Sequence, residues 1–133
     1  MITILDASVA IKWFLVEPET PRAIAVARNI LAGSAVFAVP ELFYYEVFSV
    51  VIRKHKDPSS WAASGMHWLL NLPLQRMTLT QPLAEEMARF VDRGLTGCDA
   101  AYAALATLNR GTWLTFDKKA SRLLGAPKWV AHP

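Results

Sequence analysis

Twice in this chain a short apolar, β-branched run halts at an aspartate. Ile2-Thr3-Ile4-Leu5 precedes Asp6, and Thr112-Trp113-Leu114-Thr115-Phe116 precedes Asp117. Runs of this length and composition read as strands, and strands apolar on both faces belong in a parallel sheet covered by helices. In open sheets of that kind, ligands bind outside the carboxyl ends of the strands. If the two strands run parallel, both aspartates therefore emerge at the ligand-facing edge.

The remaining chain alternates in the same way. Residues 35–39, ended by Pro40, and residues 75–79 read as strands, and a last one lies near Trp129-Val130. Ser8 is expected to cap a first helix over 9–15, since its hydroxyl can accept from an amide one turn on. Helices are predicted over 22–31 with Gly33 as a stop, and over 41–54 with Pro40 at the start. Others follow over 61–70 after the turn Asp57-Pro58-Ser59-Ser60, up to Asp92 before Gly94, and over the alanine-rich 100–108 before Gly111. A short one runs to about Leu124. Strands alternating with helices predict an α/β fold, one domain over residues 1–133, with a mostly parallel central sheet of four to five strands flanked by helices.

Composition narrows the class. With 133 residues the chain buries a real core, and a hydrophobic fraction of 53% suits buried strands and small-residue helices. No run approaches the ~18 uninterrupted apolar residues of a membrane span, and no signal peptide is evident. Cys98 is the only cysteine, which excludes a disulfide framework and points to a reducing cytoplasm. A net charge of +3 permits a polyanionic partner without demanding one.

Four acids stand out by context. Asp6 and Asp117 follow strands, and either could simply cap the next helix. Asp99 comes three residues after Thr96, a capping-box spacing with Asp in place of the usual Glu or Gln. Glu46 lies inside the most apolar helix, on one face with Leu42, Ser49 and Arg53. It is costly there unless paired, with Arg53 or Lys54 for instance, or metal-bound. Carboxylates crowded within ~4–6 Å cannot all stay ionised unaided, and a divalent cation resolves this. Oxygen-only ligands favour Mg²⁺ or Mn²⁺. His55, His67 and His132 are scattered without zinc spacing, and there is no glycine-rich phosphate loop. A hard cation on carboxylates suits phosphoryl chemistry.

The segments Leu5-Asp6-Ala7-Ser8-Val9-Ala10-Ile11-Lys12-Trp13-Phe14, Tyr45-Glu46, Thr96-Gly97-Cys98-Asp99-Ala100-Ala101-Tyr102-Ala103-Ala104-Leu105-Ala106 and Leu114-Thr115-Phe116-Asp117 resemble, in order, the motifs of PIN-domain ribonucleases. Length and amino-terminal block look most like the VapC-type toxins of prokaryotic toxin–antitoxin pairs. The resemblance implies a metal-dependent endoribonuclease, usually a homodimer, inhibited by an antitoxin encoded beside it. It also implies Asp6, Glu46, Asp99 and Asp117 as the acids holding Mg²⁺ or Mn²⁺, with Ser8 and Thr115 as supporting hydroxyls. Ser49 stands where the family often has Asn, with a shorter reach and fewer hydrogen-bonding groups.

On this reading RNA is the substrate, and Lys12, Arg53, Lys54, Lys118 and Lys119 are candidate phosphate contacts. Trp61, Gly65 and Trp68 share a helical face that, with Phe43 and Tyr44, predicts a dimer surface or ordinary core packing. Two alternatives remain: a phospho-receiver-like signalling module, or an inactive PIN scaffold kept for binding. The first fits less well, because Asp6 has no acidic neighbour and the strand over 35–39 ends in proline.

Overall fold

The computed structural model describes residues 1–133. Its order of elements is β1 (Ile2–Leu5), α1 (Ala7–Phe14), α2 (Thr20–Ala32), β2 (Val36–Pro40), α3 (Leu42–Lys54), α4 (Pro58–Leu70), β3 (Gln75–Met77), α5 (Gln81–Asp92), α6 (Gly97–Leu108), β4 (Thr112–Leu114), α7 (Lys118–Leu123) and β5 (Val130–Ala131). The five strands form one sheet in the order β3-β2-β1-β4-β5. Every pairing is parallel. This is the α/β fold the alternation predicts.

Strand order decides where a site can form. The chain moves outward from β1 through β2 to β3, then returns across the sheet to place β4 on the other side of β1. That reversal makes a switch point between β1 and β4, the position at which open α/β sheets leave a crevice. The register sets Ile4 beside Trp113 and Leu5 beside Leu114, so Asp6 and the residues after β4 leave the sheet side by side.

Packing follows from the residues. Ile4, Leu5, Ala38, Val39 and Trp113 are fully buried. Against them lies α6, whose Ala100, Ala101, Ala103, Ala104 and Ala106 are all buried, since small side chains let a helix approach a sheet closely. Gly111 opens β4 because a Cβ there would stand 2.3 Å from the carbonyl oxygen of Ile2. Gly33 ends α2 with a left-handed φ of 69°.

Some local expectations are corrected. The cap of α1 is Asp6, whose carboxylate accepts from the Ser8 amide. The Ser8 hydroxyl is taken by the amide of Phe116, a tie across 108 residues. Pro40 is the last residue of β2 rather than a helix start, and Glu41 precedes α3 without a side-chain capping bond. Helix α4 begins already at Pro58, with Asp57 as its cap. β3 and β4 stop at Met77 and Leu114, short of the predicted Leu79 and Phe116. Of the two readings of the aromatic face, core packing holds for Phe43, Tyr44 and Trp61, which are buried. Trp61 packs edge-on against Phe14. Gly65 makes room for the Trp61 ring, only 2.4 Å from where a Cβ would sit. Trp68 remains partly exposed. No helix is long and apolar enough to cross a membrane.

Candidate active site

β1 delivers Asp6 to the carboxyl edge, where the backbone turns from extended into α1. Only 7% of Asp6 is exposed. Its Oδ2 accepts from the Ser8 amide at 2.8 Å. Its Oδ1 accepts from the indole Nε1 of Trp113 at 3.0 Å. Both donors are neutral, so they position the charge without cancelling it. Burial pushes the Asp6 carboxyl above the usual range, the bonds from Ser8 and Trp113 oppose this, and Asp117 adds to it.

Glu46 projects from α3 and is half-buried. The phenol of Tyr102, on α6, donates to its Oε1 at 2.6 Å. Burial raises the Glu46 carboxyl most, Tyr102 opposes, and Asp6 and Asp99 raise it further. The Tyr102 phenol is itself held well above its usual range by burial and then by Asp6 and Glu46, so it remains a donor. Arg53 does not pair with Glu46; its Nε donates to the Ser49 carbonyl.

Asp99 lies in the first turn of α6. The Thr96 hydroxyl accepts from the Asp99 amide at 3.1 Å, so only that half of a capping box forms. Burial raises its carboxyl, and Asp117 and Asp6 add to the effect. Asp117 caps α7, accepting from the amides of Lys119 at 3.0 Å and Ala120 at 3.2 Å. Asp99, Asp117 and Lys119 line one narrow cavity of about 90 Å³.

Every pair among these four acids except Glu46 with Asp117 is close enough to shift one partner's titration. None of the four has a cationic partner; the fold's ion pairs are Lys12–Glu17 and Glu86–Arg89. Fold and sheet edge thus bring together four carboxylates far apart in sequence and leave their charge uncompensated. No three ligating side chains stand close enough to form a ready-made metal cage. All four are oxygen donors, the ligand chemistry that a hard cation takes. Mg²⁺ keeps several waters and is usually held through one or two carboxylates.

The supporting residues divide by position. The fully buried Thr115 accepts from the Asp117 amide at 2.9 Å and lies 3.4 Å from the Ser8 hydroxyl. Ser8 and Thr115 therefore tie the loop after β4 to the start of α1. Ser49 is exposed and lines a shallow depression with Glu46 and Cys98. Lys12 pairs with Glu17 at 2.6 Å and lies over the Phe116 ring, next to Asp117. Lys118 is exposed at the start of α7. Lys54 lines a separate depression with Phe14, Glu17 and His55, and lies about 12 Å along α3 from Glu46 at 1.5 Å per residue. Tyr102 and Trp113 went unassigned in the sequence. The available signal was an aromatic with a polar tip one turn after Asp99, and another inside the apolar run that leads to Asp117.

Comparison with known proteins agrees with this geometry. The PIN domain family matches residues 3–124. Among curated proteins none matches in sequence. Among solved structures, VapBC2 from Rickettsia felis, bound to a DNA fragment from its promoter, is 13% identical with a TM-score of 0.70, covering 100% of this chain and 98% of that one. VapC20 from Mycobacterium tuberculosis, a toxin that cleaves the sarcin-ricin loop, is 14% identical with a TM-score of 0.69, covering 90% and 93%. A toxin–antitoxin complex from Klebsiella pneumoniae is 19% identical with a TM-score of 0.65, covering 97% and 95%. Such identities speak to the fold, and the family match speaks to descent: with its parallel sheet switching direction between β1 and β4 above an edge of acids, the chain belongs to the PIN domain family.

Proposed function

We propose that this protein is a Mg²⁺- or Mn²⁺-dependent endoribonuclease, acting in the cytoplasm as the toxin of a toxin–antitoxin pair. The observation that carries this is the uncompensated set Asp6, Glu46, Asp99 and Asp117 at the sheet's switch point. When bound, the cation would lower the pKa of a water and neutralise charge on the phosphate oxygens. The chain's part is to hold that ion through Asp6 and Glu46, with Asp99 and Asp117 completing the negative rim. Lys119, in the cavity with Asp99 and Asp117, and Lys12 beside Phe116 are the best placed of the basic residues for phosphate contact.

The single nuclease domain over residues 1–133 has two further surfaces to offer. An apolar groove of about 380 Å³ lined by Trp13, Phe14, Ile24, Leu31 and Trp68 suits the apolar residues of an antitoxin, whose basic side chain would enter among the acids. The exposed Tyr45 and Phe48 of α3 suit self-association as a homodimer. Sedimentation showing only monomer at tens of micromolar would remove the dimer from this reading. The lack of a ready-made metal cage favours one alternative, an inactive PIN scaffold used for binding. One experiment separates them: cleavage of a labelled RNA with Mn²⁺, with chelator, and by Asp6→Asn. The nuclease reading expects cleavage only by the parent with metal; cleavage surviving chelation or the substitution overturns it.

A further inference from the structure

Two stacked aromatic rings hold the site's acids from below. Tyr102 of α6 and Trp113 of β4 lie with ring planes 1° apart and centroids separated by 6.1 Å. They are 1% and 0% exposed. Each gives its one polar hydrogen to a different carboxylate, Tyr102 to Glu46 and Trp113 to Asp6.

Asp6 arrives on a strand and Glu46 on a helix, and nothing covalent keeps their spacing. The two rings do connect them. In a close-packed interior a ring has little freedom, so packing dictates where the phenol oxygen and indole nitrogen lie. Each donor takes one oxygen of its carboxylate; the second oxygen of Glu46 receives no bond from the chain. Both donors are also neutral. An Arg or Lys donating in either place would cancel the charge and compete with a cation.

We infer that Tyr102 and Trp113 are positioning residues that act as one brace, setting the separation of Asp6 and Glu46 for a divalent cation while leaving their charge intact. The inference rests on the metal-dependent reading above. Partners that orient metal ligands typically change metal affinity by roughly ten- to a hundredfold when removed.

The test is Mn²⁺ titration calorimetry on the parent, Tyr102→Phe, Trp113→Phe, the double variant and Glu46→Gln, well below each melting point. Tyr102→Phe keeps the ring and the stack and deletes one hydroxyl. Each single variant is expected to bind Mn²⁺ roughly ten- to a hundredfold more weakly. The double variant should lose less than the product of the two losses, because one slipped anchor already releases the spacing. RNA affinity measured in chelator should not change, a readout that a general loss of structure would move. Mn²⁺ affinity within twofold of the parent in either single variant, or a double variant losing the full product, overturns the brace. If Tyr102→Phe does not fold, Trp113→Phe decides alone by the twofold criterion. Glu46→Gln separates the two levels: equal binding by it and the parent removes the metal-site reading itself. Binding lost there but kept in Tyr102→Phe removes only the brace.

Discussion

Two glutamates lie against the same helix with opposite electrostatics. Glu86 on α5 accepts from Arg89 at 2.8 Å and from the Thr107 hydroxyl of α6 at 3.1 Å. Its carboxyl is held below the usual range, chiefly by the bond from Arg89. Glu46 accepts from Tyr102, five residues earlier on α6, and its carboxyl is pushed above the usual range, chiefly by burial. The difference lies in the donor and its surroundings. A guanidinium at an exposed rim satisfies both the hydrogen bond and the charge. A buried phenol satisfies only the hydrogen bond. The first arrangement is complete, whereas the second, with Asp6 and Asp99 nearby, leaves its charge uncompensated. A carboxylate's neighbours, not its identity, separate a surface tie from a site.

The largest effect that would break this comparison is on catalysis. Glu46→Gln and Asp6→Asn should slow RNA cleavage by about a hundredfold or more. A bound divalent ion contributes several kcal/mol to the transition state, and each factor of ten is about 1.4 kcal/mol. Glu86→Gln should cleave at the parental rate. Equal losses at positions 46 and 86, measured as initial rates on a labelled oligonucleotide, would erase the distinction.

Antitoxin binding should follow the same divide. A basic side chain inserted among uncompensated acids forms a charge-assisted bond worth about 1.5–3 kcal/mol, or roughly ten- to a hundredfold in affinity. Glu46→Gln should weaken antitoxin binding by that factor in a Kd measurement, while Lys128→Ala leaves it unchanged. Lost cleavage with unchanged antitoxin affinity would remove the basic insertion and leave the metal site standing.

The pH dependence sharpens the contrast. Asp6, Glu46 and Asp99 all have folded-state pKa values above their ordinary ones, so the native chain holds their protons more tightly than the unfolded chain does. Stability from these groups is fully present below the usual carboxylate range and is lost as pH rises through the raised values. Glu86 has the opposite sign: its contribution is present above the usual range and lost as pH falls through the lowered value. Without metal, melting temperature should therefore decline from mildly acidic to neutral pH, and millimolar Mn²⁺ should raise it more at pH 7.5 than at pH 5. In Glu46→Gln the decline should be shallower. A decline as steep as the parent's would place the effect elsewhere.

The smallest effect belongs to the pair whose cation, Arg89, is exposed. Arg89→Met should shift the melting midpoint by no more than about 2 °C, since screened surface ion pairs contribute little. A larger shift, read by calorimetry, would mean that Glu86 depends on its cation as heavily as the acids of the site do.

Much of this is legible in the sequence. Asp6 and Asp117 follow apolar runs, and parallel strands must bring such residues to one edge. Glu46 was conspicuous as a charge among Tyr45, Val47 and Phe48. The pairing of Glu46 was not legible: Arg53 was the nearest basic residue in sequence, yet the partner is Tyr102, on another helix. Ser8 and Asp6 could each cap α1 by local rules. The choice went to Asp6 because the amide of Phe116, brought alongside by the pairing of β1 with β4, claims the Ser8 hydroxyl. Trp61 looked like surplus apolar surface until Phe14 and Gly65 packed around it.

By itself the sequence determined the α/β class, the alternation of elements and which aspartates follow the apolar runs. These depend on periodicity and residue chemistry, which act over a few neighbouring positions. Only the tertiary structure decided that β4 returns beside β1, that a phenol and an indole rather than cations hold Glu46 and Asp6, and that the aromatic face of α4 turns largely inward. Those outcomes depend on contacts between residues distant in sequence, 56 to 109 positions apart for the first two, and such contacts exist only once the sheet has assembled and the core has closed around it.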